Sequence, residues 1–257
     1  MLLAVNIGNT HTVIGVFSGT ELTLKRRIAT DPRRTPDEYG ALLETLFSLD
    51  HLETRALSDM IVCSVVPVAE ISLRQCARDR WNLEPVHVSA DLDLGIGMRY
   101  LTPERLGADR LANAVAARAL VGYPAIIADL GTATTIDVLD AEGAFLGGAI
   151  SAGLELSARA LAERTAQLPN TSLSAPPSVI GFDTMSALQS GLVYGHAAMV
   201  DGLVERMLEE LGPDTAVIAT GGLARAVTPY LRVPHRTEEN LTLEGLRLLH
   251  SRNRKNA

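Results

Sequence analysis

The stretch Val5-Asn6-Ile7-Gly8-Asn9-Thr10-His11-Thr12-Val13 can be laid against Ala128-Asp129-Leu130-Gly131-Thr132-Ala133-Thr134-Thr135-Ile136. Each copy runs through strand, polar residue, apolar residue, glycine, polar turn and β-branched strand. A pattern repeated at this distance predicts two lobes built alike, and such repeats decide the fold before any single element does. The flanks agree. Leu2 to Ile7, Thr12 to Phe17 and Leu22 to Ala29 read as three strands joined by tight turns, and so do Ala125 to Leu130, Thr134 to Leu139 and Ala144 to Ile150.

Helical patterns follow each set. Pro36 opens a helix with Leu42, Leu43, Leu46 and Leu49 assigned to one face. Met60 to Val66 reads as a strand, Val68 to Trp81 as a helix, Pro85 to Ser89 as a strand and Asp109 to Leu120 as a helix. In the second half, helices are expected at Leu154 to Gln167 and Met185 to Leu211, then a strand from Thr215 to Thr220. The domain boundary is placed between residues 1–117 and 118–257.

Two strand-glycine-threonine hairpins can form a nucleotide clamp. Glycine lets backbone amides approach phosphate, and the Asn and Thr side chains add short donors. A polar residue ending each first strand can hold a cation or its water. That residue is Asp129 in the second copy and Asn6 in the first. One such hairpin alone is an ordinary Asn-Thr turn. The pair gains weight from a third motif, Thr220-Gly221-Gly222, where side-chain-free backbone can lie against an adenine or ribose. Gly107-Ala108-Asp109-Arg110 stands at a helix start. Asp109 there is either an N-cap or a proton acceptor for a hydroxyl, and Arg110 offers a clamp for a substrate carboxylate.

Composition removes other classes. A net charge of −7 disfavours a nucleic-acid partner. The run Lys25-Arg26-Arg27 reads as a solvated strand end. No apolar run approaches the roughly 18 residues that span a bilayer, so no membrane partner is expected. The apolar start, Met1 to Val5, is too short for a signal-peptide core. The two cysteines, Cys63 and Cys76, have no zinc or CxxC spacing and read as core thiols in a reducing, cytoplasmic setting. Neither GxxxxGK[ST] nor the kinase HRD and DFG motifs occur, and Tyr100 stands where a dinucleotide loop opening at Gly95 would need its third glycine. His196 reads as a packing residue. Gly191, Gly195 and Gly202 thin the long helix expected around them, which suits close helix packing or a flexible helix. The polar, basic end from Ser251 to Ala257 is expected to fray.

As an ordered set these motifs resemble one family. Asn6-Ile7-Gly8-Asn9-Thr10, Gly107-Ala108-Asp109-Arg110, Asp129-Leu130-Gly131-Thr132, Gly147-Gly148-Ala149-Ile150, Leu168-Pro169, Gly181 with Thr184, and Thr220-Gly221-Gly222 are similar to those of type III pantothenate kinases, over nearly the whole chain. The resemblance implies an α/β fold of two similar actin-like (ribonuclease H-like) lobes with mixed central sheets and ATP in the cleft. It implies transfer of the ATP γ-phosphate to the primary hydroxyl of pantothenate, the first step toward coenzyme A, by a homodimer that needs Mg2+ with ATP and K+ or NH4+. Asp109 would accept the proton. Tyr100, Gly107, Ala108, Asp109, Arg110 and Thr184 would line the pantothenate site. ATP would be held by Asn6, Ile7, Gly8, Asn9, Thr10, His11, Thr12, Val13 and Thr132, and Asp129 would hold the monovalent cation. The family carries Asp where this chain has Asn6, so the magnesium position has lost its charge. Two readings stand at this point: a kinase, intact or weakened, and a non-catalytic relative that binds ATP and acts by protein interaction.

Overall fold

A computed structural model describes residues 1–165 and 168–254. The chain divides into two compact units. One comprises Met1–Gly95, Leu101–Ala116 and Leu241–Ala257, and the other Ile96–Tyr100 and Ala117–Asn240. The crossover at 116/117 falls one residue from the expected boundary. The C-terminal segment, expected in the second lobe, is grouped with the first unit.

The first unit carries β1 (Leu2–Ile7), β2 (His11–Ser18), β3 (Glu21–Ala29), β4 (Asp59–Ser64) and β5 (Val86–His87), in the sheet order β3-β2-β1-β4-β5. β1 pairs antiparallel with β2 and parallel with β4. It is buried along nearly its whole length, as a central strand covered on both faces must be. On one face, Leu3, Val5 and Ile7 pack with Tyr39, Leu43 and Phe47 of α1 (Pro36–Leu49) and Leu73 of α2 (Pro67–Trp81). On the other lies α7 (Leu241–Asn253), whose Leu243 side chain reaches Gly15 of β2. α1 starts where the sequence says. Thr35 and Glu38 form a reciprocal capping box ahead of Pro36. Its buried stripe overlaps the expected one at Leu43, with Leu46 packed against it. Tyr39, Leu43 and Phe47 face the core, while Leu49 is exposed.

The second unit repeats the plan with β7 (Ala125–Leu130), β8 (Ala133–Leu139), β9 (Ala144–Ala152), β10 (Ala216–Thr220) and β11 (Arg236–Thr237). Its order is β11-β10-β7-β8-β9-β6, so the same five-strand sequence gains an edge strand, β6 (Gly97–Met98). Ile126, Ala128 and Leu130 pack against Leu192, Val193, Ala197, Val200 and Val204 of α5 (Thr184–Leu211). α4 (Leu154–Arg164) packs beside α5, and α6 (Ala224–Val227) follows β10. The expected end of α4 at Gln167 lies outside the described residues.

Other expectations are adjusted. Lys25-Arg26-Arg27 lies in the middle of β3, and its solvation comes from β3 being a sheet edge. Ser251 to Asn253 are helical rather than frayed, and residues 255–257 lie outside the described set. Cys63 and Cys76 are free, buried thiols, and burial pushes the Cys76 thiol up to about 11. Among the described residues no helix is long and apolar enough to cross a membrane.

Candidate active site

The repeat places its two hairpins by the same bonds. In the first unit the Gly8 amide donates to the His11 carbonyl at 3.0 Å, and the Thr30 amide donates to Thr10 at 3.0 Å. In the second, Gly131 donates to Ala133 at 3.1 Å, and Gly153 donates to Thr132 at 3.0 Å. The pairing registers expose one difference. Ile7 faces Thr12, whereas Leu130 faces Thr134, so the first turn is one residue longer. Past the turn the two copies are therefore offset by one, and Thr12 corresponds to Thr134 rather than to Thr135. Both of these threonines are buried, with hydroxyls engaged. Thr12 Oγ1 lies 2.9 Å from Thr30 Oγ1, and Thr134 Oγ1 lies 2.9 Å from His196 Nε2. Burial holds the His196 imidazole below its usual pKa and favours the neutral ring.

Of the residues expected to hold ATP, Asn6, Gly8, Asn9, Thr10, His11 and Val13 are at least partly exposed, while the Ile7 and Thr12 side chains are buried and act within the unit. Asn6 is the penultimate residue of β1, opposite Cys63, and the Cys63 thiol donates to Asn6 Oδ1 at 3.2 Å. Asn6 and Cys63 are 57 residues apart, and no sequence pattern signals the contact.

Asp129 ends β7 opposite Thr220 of β10. The third motif thus lies alongside the second hairpin, and the Leu223 amide donates to the Leu130 carbonyl at 2.9 Å. Gly221 has φ +103, and a Cβ there would stand 2.5 Å from Asp129 Oδ1. Only glycine both adopts that backbone and leaves the carboxylate its space. A Cβ on Gly153 would likewise run into the Gly131 and Thr132 carbonyls. The result is a carboxylate with glycine backbone close against it. Among the described residues no cluster of three His, Cys, Asp or Glu side chains could hold a metal.

Asp109 occupies the second position of α3 (Ala108–Val121), which begins after Gly107; it is therefore not the N-cap. Its Oδ1 accepts from the Arg110 amide at 2.9 Å, and a Cβ on Gly107 would come within 2.7 Å of that oxygen. Burial raises the Asp109 carboxyl above the usual aspartate range, partly offset by the Arg110 amide and guanidinium. Arg110 itself is buried. Tyr100 belongs to the second unit, where its ring meets Phe145 edge-on at 5.9 Å and lies over Gly147. Thr184 is the first residue of α5, after the N-cap Asp183, and lines a groove of about 850 Å3 between α4 and α5. The expected pantothenate residues thus divide between the units, with Gly107 to Arg110 in the first and Tyr100 and Thr184 in the second. Thr30 went unread in the sequence, and His196 and Cys63 were read only as packing residues, because each meets its partner far along the chain.

Over nearly their whole length, solved structures share the fold at low identity. The (R)-2-hydroxyglutaryl-CoA dehydratase component A of Acidaminococcus fermentans matches with TM-score 0.57 and 14% identity, covering 100% of this chain and 99% of that one. The ROK hexokinase of Thermus thermophilus matches with TM-score 0.51 and 14% identity at the same coverage. These neighbours place the chain in the two-lobed actin-like class. In sequence, the type III pantothenate kinase of Anaeromyxobacter dehalogenans (strain 2CP-C) is 42% identical over 99% of this chain and 100% of its own length. That of Syntrophotalea carbinolica is also 42% identical, with the same coverage. A family description, type III pantothenate kinase, matches residues 2–206, and the chain belongs to that family.

Proposed function

We infer that the chain transfers the γ-phosphoryl group of ATP to the primary hydroxyl of pantothenate, giving 4'-phosphopantothenate, the first step toward coenzyme A. The carrying observation is Asp109, whose burial makes it a stronger base than an ordinary aspartate at a helix start freed by Gly107. Phosphoryl transfer is largely positioning and charge stabilisation, yet the attacking hydroxyl must lose its proton, and Asp109 accepts it. Arg110 clamps the pantothenate carboxylate. A protein acting by interaction alone has little use for such a base, which disfavours the non-catalytic reading.

ATP comes with a divalent metal in a kinase of this family. Asp129, in its glycine-walled setting, would hold K+ or NH4+, which would offset the cost of a carboxylate at the end of a buried strand. Asn6 does not fit as a magnesium ligand. It is neutral, and its oxygen already accepts from the Cys63 thiol, whereas magnesium favours carboxylates. The homodimer is supported by an apolar face at the start of α5. Val179, Ile180 and Phe182 are strongly exposed, the last at 87%, and nothing within 4 Å faces Gly191 or Gly195. Such a patch suits a protein partner, here a second copy. A cytoplasmic location suits the free thiols. The test is mass spectrometry of pantothenate incubated with the protein and MgATP. A phosphorylated product supports the reading, and unchanged pantothenate alongside bound ATP contradicts it.

A further inference from the structure

Asn6 makes one side-chain contact into the core. Its Oδ1 accepts from the thiol of Cys63, a side chain with no exposed surface, across the parallel β1–β4 pair. A carboxamide has one acceptor end and one donor end. With the oxygen turned to the thiol, the Nδ2 amino group is the end directed away from Cys63. It stands at the carboxyl end of β1, beside the Gly8–His11 turn. The equivalent position in the second unit carries the Asp129 carboxylate, opposite Thr220 instead of a cysteine. One hairpin therefore presents donors and the other an anionic acceptor.

We propose that Asn6, oriented by Cys63, is a hydrogen-bond donor to the phosphate oxygens of ATP, so that the first hairpin grips the nucleotide directly and independently of the magnesium that accompanies it. Resting on the reading of the chain as an ATP-binding kinase, this makes Cys63 a positioning residue. A carboxylate in the same place would repel bare triphosphate and accept it only with a cation between them. An amide needs no such bridge. A thiol is a weak donor, but it need only bias a flip between two amide orientations.

The experiment measures ATP dissociation constants by calorimetry, with magnesium and with EDTA, in the absence of pantothenate. Asn6→Asp should raise the ratio of the metal-free to the magnesium value at least about tenfold over wild type, with the loss lying in the metal-free value. Cys63→Ala should weaken metal-free ATP by about two- to fivefold by releasing the flip, and Cys63→Ser, which keeps a donor, should restore it. Nitrogen-15 spectra give a second readout. The Asn6 side-chain amide signal, identified by its loss in Asn6→Asp, should shift on adding metal-free ATP and not on adding adenosine. Equal ratios in wild type and Asn6→Asp, or an Asn6 signal blind to ATP, overturn the inference. Wild-type affinity in Cys63→Ala overturns the role of the thiol. These are binding results. A wild-type protein that binds ATP yet never phosphorylates pantothenate would sink the reading of function and leave them standing.

Discussion

The two hairpins share a frame and differ at its working position. Both close with an amide-to-carbonyl bond across the turn, both are pinned by the amide that follows their third strand, and both bury one threonine just past the turn. The end of the first strand is where they part. In the first unit an amide is tied to a core thiol. In the second a carboxylate faces glycine. Backbone bonds thus preserve the geometry of the turn, while the two side chains differ in charge and in what they touch.

If the hairpins only hold nucleotide, the largest loss must come from neither of them. Asp109→Asn should lower turnover by roughly 10²–10⁴, the usual cost of losing a general base, with ATP affinity kept. Because burial raises the Asp109 pKa above 3.8, the carboxylate costs stability above that folded value, and the cost vanishes as pH falls below the unfolded one. Asp109→Asn should therefore melt at a slightly higher temperature than wild type at pH 7, with the gap closing toward pH 4. The acid limb of turnover should also lie above the ordinary aspartate range. A wild-type rate in this variant would reduce Asp109 to a helix-start residue.

Making the second hairpin neutral, like the first, is the next sharpest break. Asp129→Asn should remove the difference between potassium and sodium and lower turnover by on the order of tenfold, about 1.4 kcal/mol. A potassium preference that survives would place the cation elsewhere.

The buried threonines test the frame itself. Thr134→Val leaves His196 Nε2 without its partner in the core and should cost about 1–3 kcal/mol in urea unfolding. Thr12→Val should cost less, because half-buried Thr30 can turn to water. Equal costs would show that the two pins are interchangeable.

The smallest effect is expected from making the first hairpin like the second. Asn6→Asp is nearly isosteric, so thermal stability should hardly change. At saturating magnesium, turnover on pantothenate should rise by roughly fivefold at most, since a partly exposed charge contributes about 1 kcal/mol or less. No gain at any magnesium concentration would mean that a carboxylate has no role at this position.

Much of this was legible because it is local. Alternating apolar residues gave the strands, Pro36 gave a helix start, and the paired glycine turns gave the doubled plan. What stayed hidden depends on distant partners. α7 went unread because Gly245 sits mid-helix and looks like a breaker, whereas a Cβ there would run into the Ala112 carbonyl, so the glycine serves close packing on α3. The two-residue strands β6 and β11 exist only through pairing. The one-residue offset of the repeat shows only in strand register. At the site, the roles proposed for Asp109 and Asp129 came from the family resemblance, but the His196 and Cys63 contacts span 62 and 57 residues and needed coordinates.

The most direct measurement is pantothenate-dependent ADP release by the wild-type protein, with MgATP, in potassium and then in sodium. The account predicts release only when pantothenate is present, and faster in potassium. Bound ATP with no pantothenate-dependent release in either salt would contradict it.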